Sequence, residues 1–298
     1  MTSGLVLGLA AALCWGLTDV TAALVGRRFG SLPTLAVAQL TSLVVLLVLG
    51  LVIEGRIPVD PAVAGQAALY GVLASVAYAA MFAGLAIGPI SVVSPSVAAY
   101  GGLTVILSVV VLGEMVSALQ WVGVALGTLG VALSAFRFGG GAGRIQPVSR
   151  GVILAVVALV LFASVTVGMA GPIRQAGWLD VVFVSRLANT LTVGAVLLVV
   201  RRLRPRGSGV LLGPAGPPPL RGVWMLAVVG LLDVAGFIAY AVGLEVSEVW
   251  IVGLASSLGP AVAVLVSVGF LGERLRPIQW LGLIAIALGL GLIALPTS

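Results

Sequence analysis

The segment from Pro61 to Gly113 contains no charged residue, and this feature constrains the fold of the chain most strongly. A membrane-spanning helix needs about 20 mostly apolar residues, so the segment is long enough for two such helices. Strict alternation of apolar and polar residues is absent, which disfavours a membrane barrel and leaves helices to satisfy the backbone in lipid. Further charge-free runs occupy residues 115–136, 151–173, 249–272 and 277–298.

We predict ten membrane spans from these runs and from the more mixed segments between them. Charged residues make up 8% of the chain and the mean hydropathy is +1.27. Soluble domains carry about 25% charged residues, so an all-α polytopic membrane protein is expected instead. The predicted spans cover residues 4–26, 33–53, 66–87, 90–112, 117–136, 151–172, 178–200, 222–243, 249–271 and 277–296.

Several classes of chemistry are excluded because histidine and lysine are both absent and all 15 basic residues are arginine. Without lysine the chain lacks the phosphate-binding residue of a Walker A motif, and with it ATP hydrolysis. Without histidine it lacks the usual general base and the commonest metal ligand. Cys14 is the single cysteine, so no intramolecular disulfide forms. We expect no enzymatic activity, no metal site and no cofactor.

Most of the arginines fall in loops on one side of the predicted membrane. The loops on the opposite side, which also holds both chain termini, carry only Arg56 and Arg174. Because positively charged loops stay in the cytoplasm, we expect both termini to lie outside it. The pI is near 10.7, but this clustering indicates topology and not a nucleic-acid-binding face. The arginines predicted to be cytoplasmic are Arg27, Arg28, Arg137, Arg144, Arg150, Arg201, Arg202, Arg204, Arg206, Arg221, Arg274 and Arg276.

The sequence contains an internal repeat. The Leu-Gly-Glu motif at 112–114 recurs at 271–273, and Gln-Trp-Val-Gly at 120–123 recurs as Gln-Trp-Leu-Gly at 279–282. Both pairs are related by the same shift of 159 positions. Earlier in the chain a shift of 147 places Phe162 on Trp15. The difference between the two shifts is absorbed by a long loop rich in proline and glycine.

The repeat divides the chain into two copies of five spans. The first copy covers residues 1–136, a cytoplasmic linker covers 137–150, and the second copy covers 151–298 with a flexible loop at 201–221. An odd number of spans in each copy inverts the second copy in the membrane relative to the first. Inverted repeats of this kind occur in many secondary transporters, whose binding site lies between the copies near the middle of the membrane.

Ten spans in two copies, each with Gly-Glu after the fourth span and Gln-Trp-x-Gly in the fifth, resemble the EamA-type drug/metabolite transporter superfamily. Within it, the chain is most similar to YddG-type bacterial amino-acid exporters. The resemblance implies a basket of helices around a central cavity. It also implies a secondary transporter of the bacterial inner membrane, with periplasmic termini, that exports aromatic and other neutral amino acids and related metabolites by alternating access.

The expected partners are therefore small-molecule substrates, amino acids above all, and the lipid bilayer. Gly123 and Gly127 form a GxxxG motif in the fifth span, which indicates close helix packing and suggests a dimer contact. A monomer or a weak dimer is expected.

Polar and aromatic residues inside the spans are the candidates for the cavity, because a polar group in lipid needs a partner or water. Trp15 and Asp19 lie four residues apart on one helical face, and Phe162 and Thr166 repeat this spacing. Packing between helices is the alternative role for the aromatic residues. The full set of candidates is Trp15, Asp19, Tyr78, Phe82, Ser94, Tyr100, Phe162, Thr166, Asp233, Phe237, Tyr240 and Ser257.

Ionisable residues inside the spans are few. Arg186 and Asp233 are at comparable depth, and we expect them to form a structural ion pair. Asp19 has no obvious cationic partner, so we expect it to receive the ammonium group of a substrate or to line the cytoplasmic half of the route. Glu114 and Glu273 follow glycines at helix ends, which favours roles in turns and in packing between the copies.

Other functions remain compatible with these residues. Asp19 beside Trp15 and Tyr78 also suits the efflux of lipophilic cationic drugs. Organophosphate exchange is less well supported, because Arg186 is the only interior arginine. A non-transporting scaffold or an intramembrane enzyme is the least supported, since a scaffold needs no polar lining and an enzyme would be restricted to serine and aspartate chemistry.

Overall fold

The computed structural model describes residues 2–87, 96–97, 99–134, 150–203, 212, 220–271 and 276–295. Within these residues the regular elements are all helical. They are α1 (Thr2–Phe29), α2 (Ser31–Leu49, continued by a π-helical segment, Gly50–Glu54), α3 (Pro61–Ile87), α4 (Tyr100–Leu112), α5 (Ala118–Ser134), α6 (Arg150–Ala176), α7 (Trp178–Leu203), α8 (Leu220–Val246), α9 in two segments (Val249–Ser256 and Gly259–Leu271) and α10 (Pro277–Ala294). The prediction of an all-α protein with ten spans is confirmed.

The helices have the length and composition that a bilayer requires. In the described part of the chain, seven of them are long and apolar enough to cross a membrane, and α4, α5 and the start of α9 are shorter apolar helices. The outer surface is apolar as well, with large side chains such as Val52, Leu198 and Trp224 exposed. A soluble protein rarely exposes so much apolar surface, so these side chains face lipid.

The Leu-Gly-Glu motif ends α4 through its glycine. Gly113 adopts a positive φ of 70°, which glycine tolerates best, and its backbone N–H bonds to the Ser108 carbonyl. The chain therefore leaves the helix in a tight turn at Gly113. This turn places Glu114 directly beyond the end of α4.

A break divides α9 after Ser256, and proline explains it. Pro260 has no backbone N–H to donate to the carbonyl four residues earlier, so the helix restarts at Gly259 with Pro260 in its first turn. The second segment of α9, Gly259–Leu271, corresponds under the shift of 159 to α4, Tyr100–Leu112. The second segment of α9 thus begins and ends at positions equivalent to those of α4.

Equivalent helix crossings show the symmetry of the two copies directly. A methyl group at Gly71 in α3 would lie 2.2 Å from the Ser185 carbonyl oxygen in α7. A methyl group at Gly230 in α8 would lie 2.6 Å from the Ala38 carbonyl oxygen in α2. Gly230 and Ser185 are the repeat equivalents of Gly71 and Ala38, so the two crossings are one contact formed twice.

The fifth helices of the two copies pack against each other through glycine. A methyl group at Gly123 in α5 would lie 2.8 Å from the Gly289 carbonyl oxygen in α10, and one at Gly130 would lie 2.7 Å from that of Gly282. These contacts are also related by the repeat. The close packing predicted for the GxxxG motif is present, and its partner is α10 of the same chain. The suggested dimer contact therefore does not use this glycine face, which is already covered.

Candidate functional site

Two aromatic pairs lie inside the bundle, and each pair joins one ring of the first copy to one ring of the second copy. Trp15 of α1 packs with Phe237 of α8 at a ring-centroid distance of 5.4 Å and an interplanar angle of 65°. Phe162 of α6 packs with Tyr78 of α3 at 5.0 Å and 78°. Both pairs have the edge-to-face geometry that aromatic rings prefer. Because Phe162 is the equivalent of Trp15 and Phe237 that of Tyr78, the same pair is built twice around the repeat axis.

A third ring joins each pair. Tyr240 lies 5.4 Å from Trp15 and 6.0 Å from Phe237, while Tyr100 lies 5.8 Å from Phe162. The structure thus brings together six of the aromatic residues selected from the sequence. They come from α1, α3, α4, α6 and α8, which belong to both copies.

The polar atoms of these rings differ in whether they have a hydrogen-bond partner. The Tyr240 hydroxyl lies within hydrogen-bonding reach of Thr166, and the Tyr100 hydroxyl within reach of Ser256. The Trp15 Nε1 atom is buried and has no partner among the described residues. Tyr78 lies within electrostatic range of Asp19, Tyr100, Arg186 and Asp233.

Arg186 is buried at the boundary of the two copies, with 3% of its side chain exposed. Its Nη1 donates a hydrogen bond to Gln39 Oε1, and its Nη2 lies 2.9 Å from Asp233 Oδ2. The angle at the second contact falls outside hydrogen-bond geometry, so this contact is an ion pair by distance and charge. The guanidinium carbon stands 3.8 Å above the centre of the Phe237 ring. The predicted Arg186–Asp233 pair is present, and Arg186 Nε has no hydrogen-bond partner among the described residues.

Gln39 and Ser42 of α2 are site residues that the sequence analysis did not select. Ser42 Oγ lies 3.4 Å from Asp233 Oδ2 and 3.2 Å from the Gly230 carbonyl oxygen. Gln39 is the repeat equivalent of Arg186, so the alignment of the two copies could have identified Gln39 as a candidate. Both are fully buried polar residues in an apolar span, a further sign of a polar partner.

Asp19 differs from the other acidic residues inside the bundle. It interacts electrostatically with Asp233, and its side chain is exposed. Neither an ion pair nor a hydrogen bond to Asp19 occurs among the described residues.

The charges of the site leave one negative charge without a partner. Arg186 and Asp233 compensate each other, whereas Asp19 has no cationic partner in the described part of the chain. A free carboxylate next to aromatic faces attracts a positively charged nitrogen. No group of three histidine, cysteine, aspartate or glutamate side chains within the described ranges is placed to hold a metal ion.

Ser257 stands apart from this arrangement. Ser257 is 2% exposed, its hydroxyl donates to the Leu254 carbonyl, and it packs against Gly101 of α4. It therefore belongs to the crossing of α4 and α9. The side chain of Phe82 and the whole of Ser94 lie outside the described residues.

An open surface depression of about 420 Å³ lies elsewhere, at the end of the bundle where α8 meets α9. None of the aromatic site residues lines it, so it is separate from the central site. Its lining residues are Arg174, Glu245, Val246, Ser247 and Glu248.

Comparison with known proteins identifies both family and fold. The model of the EamA-like transporter family matches residues 2–136 and again residues 149–295, once for each copy. No curated protein matches the sequence. A solved structure titled only "Crystal structure of protein" is similar, with a TM-score of 0.78 and 17% identity over 99% of this chain and 97% of that chain. At this identity the likeness establishes the fold alone.

Proposed function

The chain belongs to the EamA-like transporter family, and we propose that it exports small metabolites that carry an ammonium group and an apolar body. Neutral amino acids, including the aromatic ones, are the first such class. The observation that carries this proposal is the unpaired Asp19 carboxylate within electrostatic range of Tyr78 and Tyr100, which belong to a group of aromatic rings contributed by both copies. We further place the protein in the bacterial inner membrane, with both termini in the periplasm.

Recognition in this proposal uses two kinds of contact. The ammonium group of the substrate binds the Asp19 carboxylate and the face of Trp15 or Tyr78. A cation–π contact contributes about 0.5–1 kcal/mol at exposed sites and about 2 kcal/mol where water is excluded. The apolar part packs among the remaining rings. The carboxylate of an amino acid is received by an uncharged donor such as the Tyr78 hydroxyl.

Alternating access is the transport mechanism that the symmetry supports best. The Trp15–Phe237 and Phe162–Tyr78 pairs are equivalent, so each copy can adopt the arrangement of the other while the site stays between them. Glycine crossings such as those at Gly71 and Gly230 provide close backbone contacts about which helices rock. With no ATP-binding motif in the chain, transport follows the substrate gradient or a coupled ion gradient.

Efflux of lipophilic cations is the second candidate, and the environment of Arg186 favours it. The positive charge of Arg186 is already compensated by Asp233, and Gln39 and Phe237 also contact the guanidinium, so Arg186 offers no net positive charge to a substrate carboxylate. A monocation would need only Asp19 and the rings. The two candidates therefore differ in whether the substrate needs a carboxylate.

Counterflow in proteoliposomes with a matched pair of compounds separates them. Phenylalanine and phenethylamine differ only in the carboxylate, and a lipophilic quaternary ammonium ion serves as the third compound. We expect saturable exchange of phenylalanine, absent from liposomes without protein. Exchange of phenethylamine and the quaternary ion alone would select the second candidate. Exchange of none of the three would overturn the proposed class of substrate.

A further inference from the structure

The end of the bundle where α1 begins and α10 ends is called the termini face here. Gly4 near the start of α1 lies against Ser247, between α8 and α9. Ile293 near the end of α10 belongs to the same apolar cluster as Trp250. The contacts of Glu114 with Val249 and of Arg56 with Asp180 lie on this face.

Glu114 of the first copy caps a helix of the second copy. Its Oε1 accepts a hydrogen bond of 2.7 Å from the Val249 backbone N–H, and its Oε2 accepts one of 3.0 Å from that of Trp250. The first N–H groups of a helix have no partner within it and carry a partial positive charge. Only 7% of the Glu114 side chain is exposed. One buried carboxylate thus satisfies the start of α9, as the predicted role in packing between the copies requires.

Arg174 at the end of α6 holds this carboxylate in position. Its Nη2 lies 3.4 Å from Glu114 Oε1 and donates a hydrogen bond of 3.0 Å to the Ser247 carbonyl. Its Nε lies 3.4 Å from the Leu244 carbonyl oxygen at the end of α8. The last carbonyl groups of a helix attract a cation for the same reason that the first N–H groups attract an anion. Glu114 and Arg174 together therefore connect the ends of α4, α6, α8 and α9.

A second link joins the copies on the same face. Arg56, in the loop after α2, donates two hydrogen bonds of 2.8 Å each to Asp180 in the first turn of α7. Asp180 is 1% exposed, although Arg56 is half exposed. The hydrogen bond to Asp180 also raises the pKa of Arg56. Two parallel bonds between a guanidinium and a carboxylate fix their geometry as well as their distance.

We infer that Glu114 and the Arg56–Asp180 pair form a two-point latch that holds the termini face closed between the copies. This inference rests on the proposed alternating access, because a route to the termini face opens only when contacts across the copies on that face break. Each link joins residues more than 120 positions apart, one from each copy. Loss of either link shifts the population towards the form that is open on this face.

Distance measurements between spin labels test the latch without any substrate. In a C14S background, labels at Leu119 of the first copy and Val246 of the second copy report the width of the termini face, since both side chains are exposed. We expect one short distance in the otherwise wild-type protein in nanodiscs. E114Q and R56A should each raise the fraction of longer distances at least threefold. The charge-reversed pair R56E/D180R should restore the short distance that R56E alone loses.

One matched variant controls for the loss of a carboxylate on this face. Glu248 accepts a hydrogen bond from the Trp250 indole within the second copy. E248Q should leave the distances unchanged. Unchanged distances in both E114Q and R56A would overturn the latch. If E114Q does not fold, the distances measured in R56A and in the charge-reversed pair R56E/D180R test the latch without it.

The outcomes also separate the latch from the proposed function. Longer distances in E114Q together with no exchange of any tested compound would leave the latch standing and reject the class of substrate. Exchange of phenylalanine with unchanged distances in the latch variants would support the function and reject the latch.

Discussion

Gln39 and Arg186 occupy equivalent positions in the two copies and are hydrogen-bonded to each other. A contact between equivalent residues lies on the axis that relates the copies, so this pair marks the pseudo-twofold axis of the bundle. The charge beside it is not symmetric. Asp233 pairs with Arg186, whereas its equivalent in the first copy is Ala74. The second copy therefore contributes an ion pair next to the axis, whereas the equivalent residues of the first copy, Gln39 and Ala74, are uncharged.

We predict that the Arg186–Asp233 pair stabilises the fold only as a unit. R186Q leaves the buried Asp233 without its partner, and removing one member of a buried pair costs about 3–5 kcal/mol. R186Q/D233N leaves no charge uncompensated and should be less destabilised than R186Q alone. Thermal unfolding in detergent, followed by tryptophan fluorescence, compares the variants. Midpoints that fall additively in the double variant would contradict a coupled pair.

We predict that alanine at Gly71 destabilises the protein. The added methyl group would lie 2.2 Å from the Ser185 carbonyl, and overpacking costs about 1–3 kcal/mol. Gly65 on the same helix is the matched control, because nothing lies within 4 Å of a methyl group there. The equivalent G230A should resemble G71A. The midpoints of thermal unfolding measure the difference, and equal midpoints for G65A and G71A would refute the close crossing.

We predict that D19N weakens substrate binding more than D19E does. A hydrogen bond to a charged group contributes about 1.5–3 kcal/mol, which corresponds to roughly a 10-fold to 100-fold rise in KM. D19E keeps the charge and should lose much less. Exchange rates in proteoliposomes at matched protein content provide the measurement, with D60N as a control on the termini face. A KM unchanged in D19N would remove Asp19 from the site.

We predict that both chain termini lie in the periplasm. The loops on the termini face carry few arginines, and such loops are translocated. Alkaline phosphatase, which is active only outside the cytoplasm, should be active when it is fused after Ser298. A fusion in the linker at 137–150 should be inactive. The reverse pattern of activities would invert the proposed orientation.

The repeat made the pairing of the aromatic residues predictable from sequence. Trp15 with Phe162, and Tyr78 with Phe237, are equivalent under the two shifts, and both pairs of rings meet inside the bundle. Arg186 and Asp233 were predictable for a different reason. Few ionisable residues lie within the spans, so few acidic side chains were available to pair with a buried arginine.

Sequence alone determined the ten spans, the two copies and the inverted relation between them, because hydropathy and internal repeats depend only on the order of residues along the chain. It did not determine how each helix is rotated about its axis or which helix it meets. Ser257 therefore proved to lie at a helix crossing, and Gln39 was not selected. Only the tertiary structure decided that Glu114 caps α9 and that Arg56 reaches Asp180. Each of these contacts joins helix ends far apart in sequence, and the packing of the two copies brings those ends together.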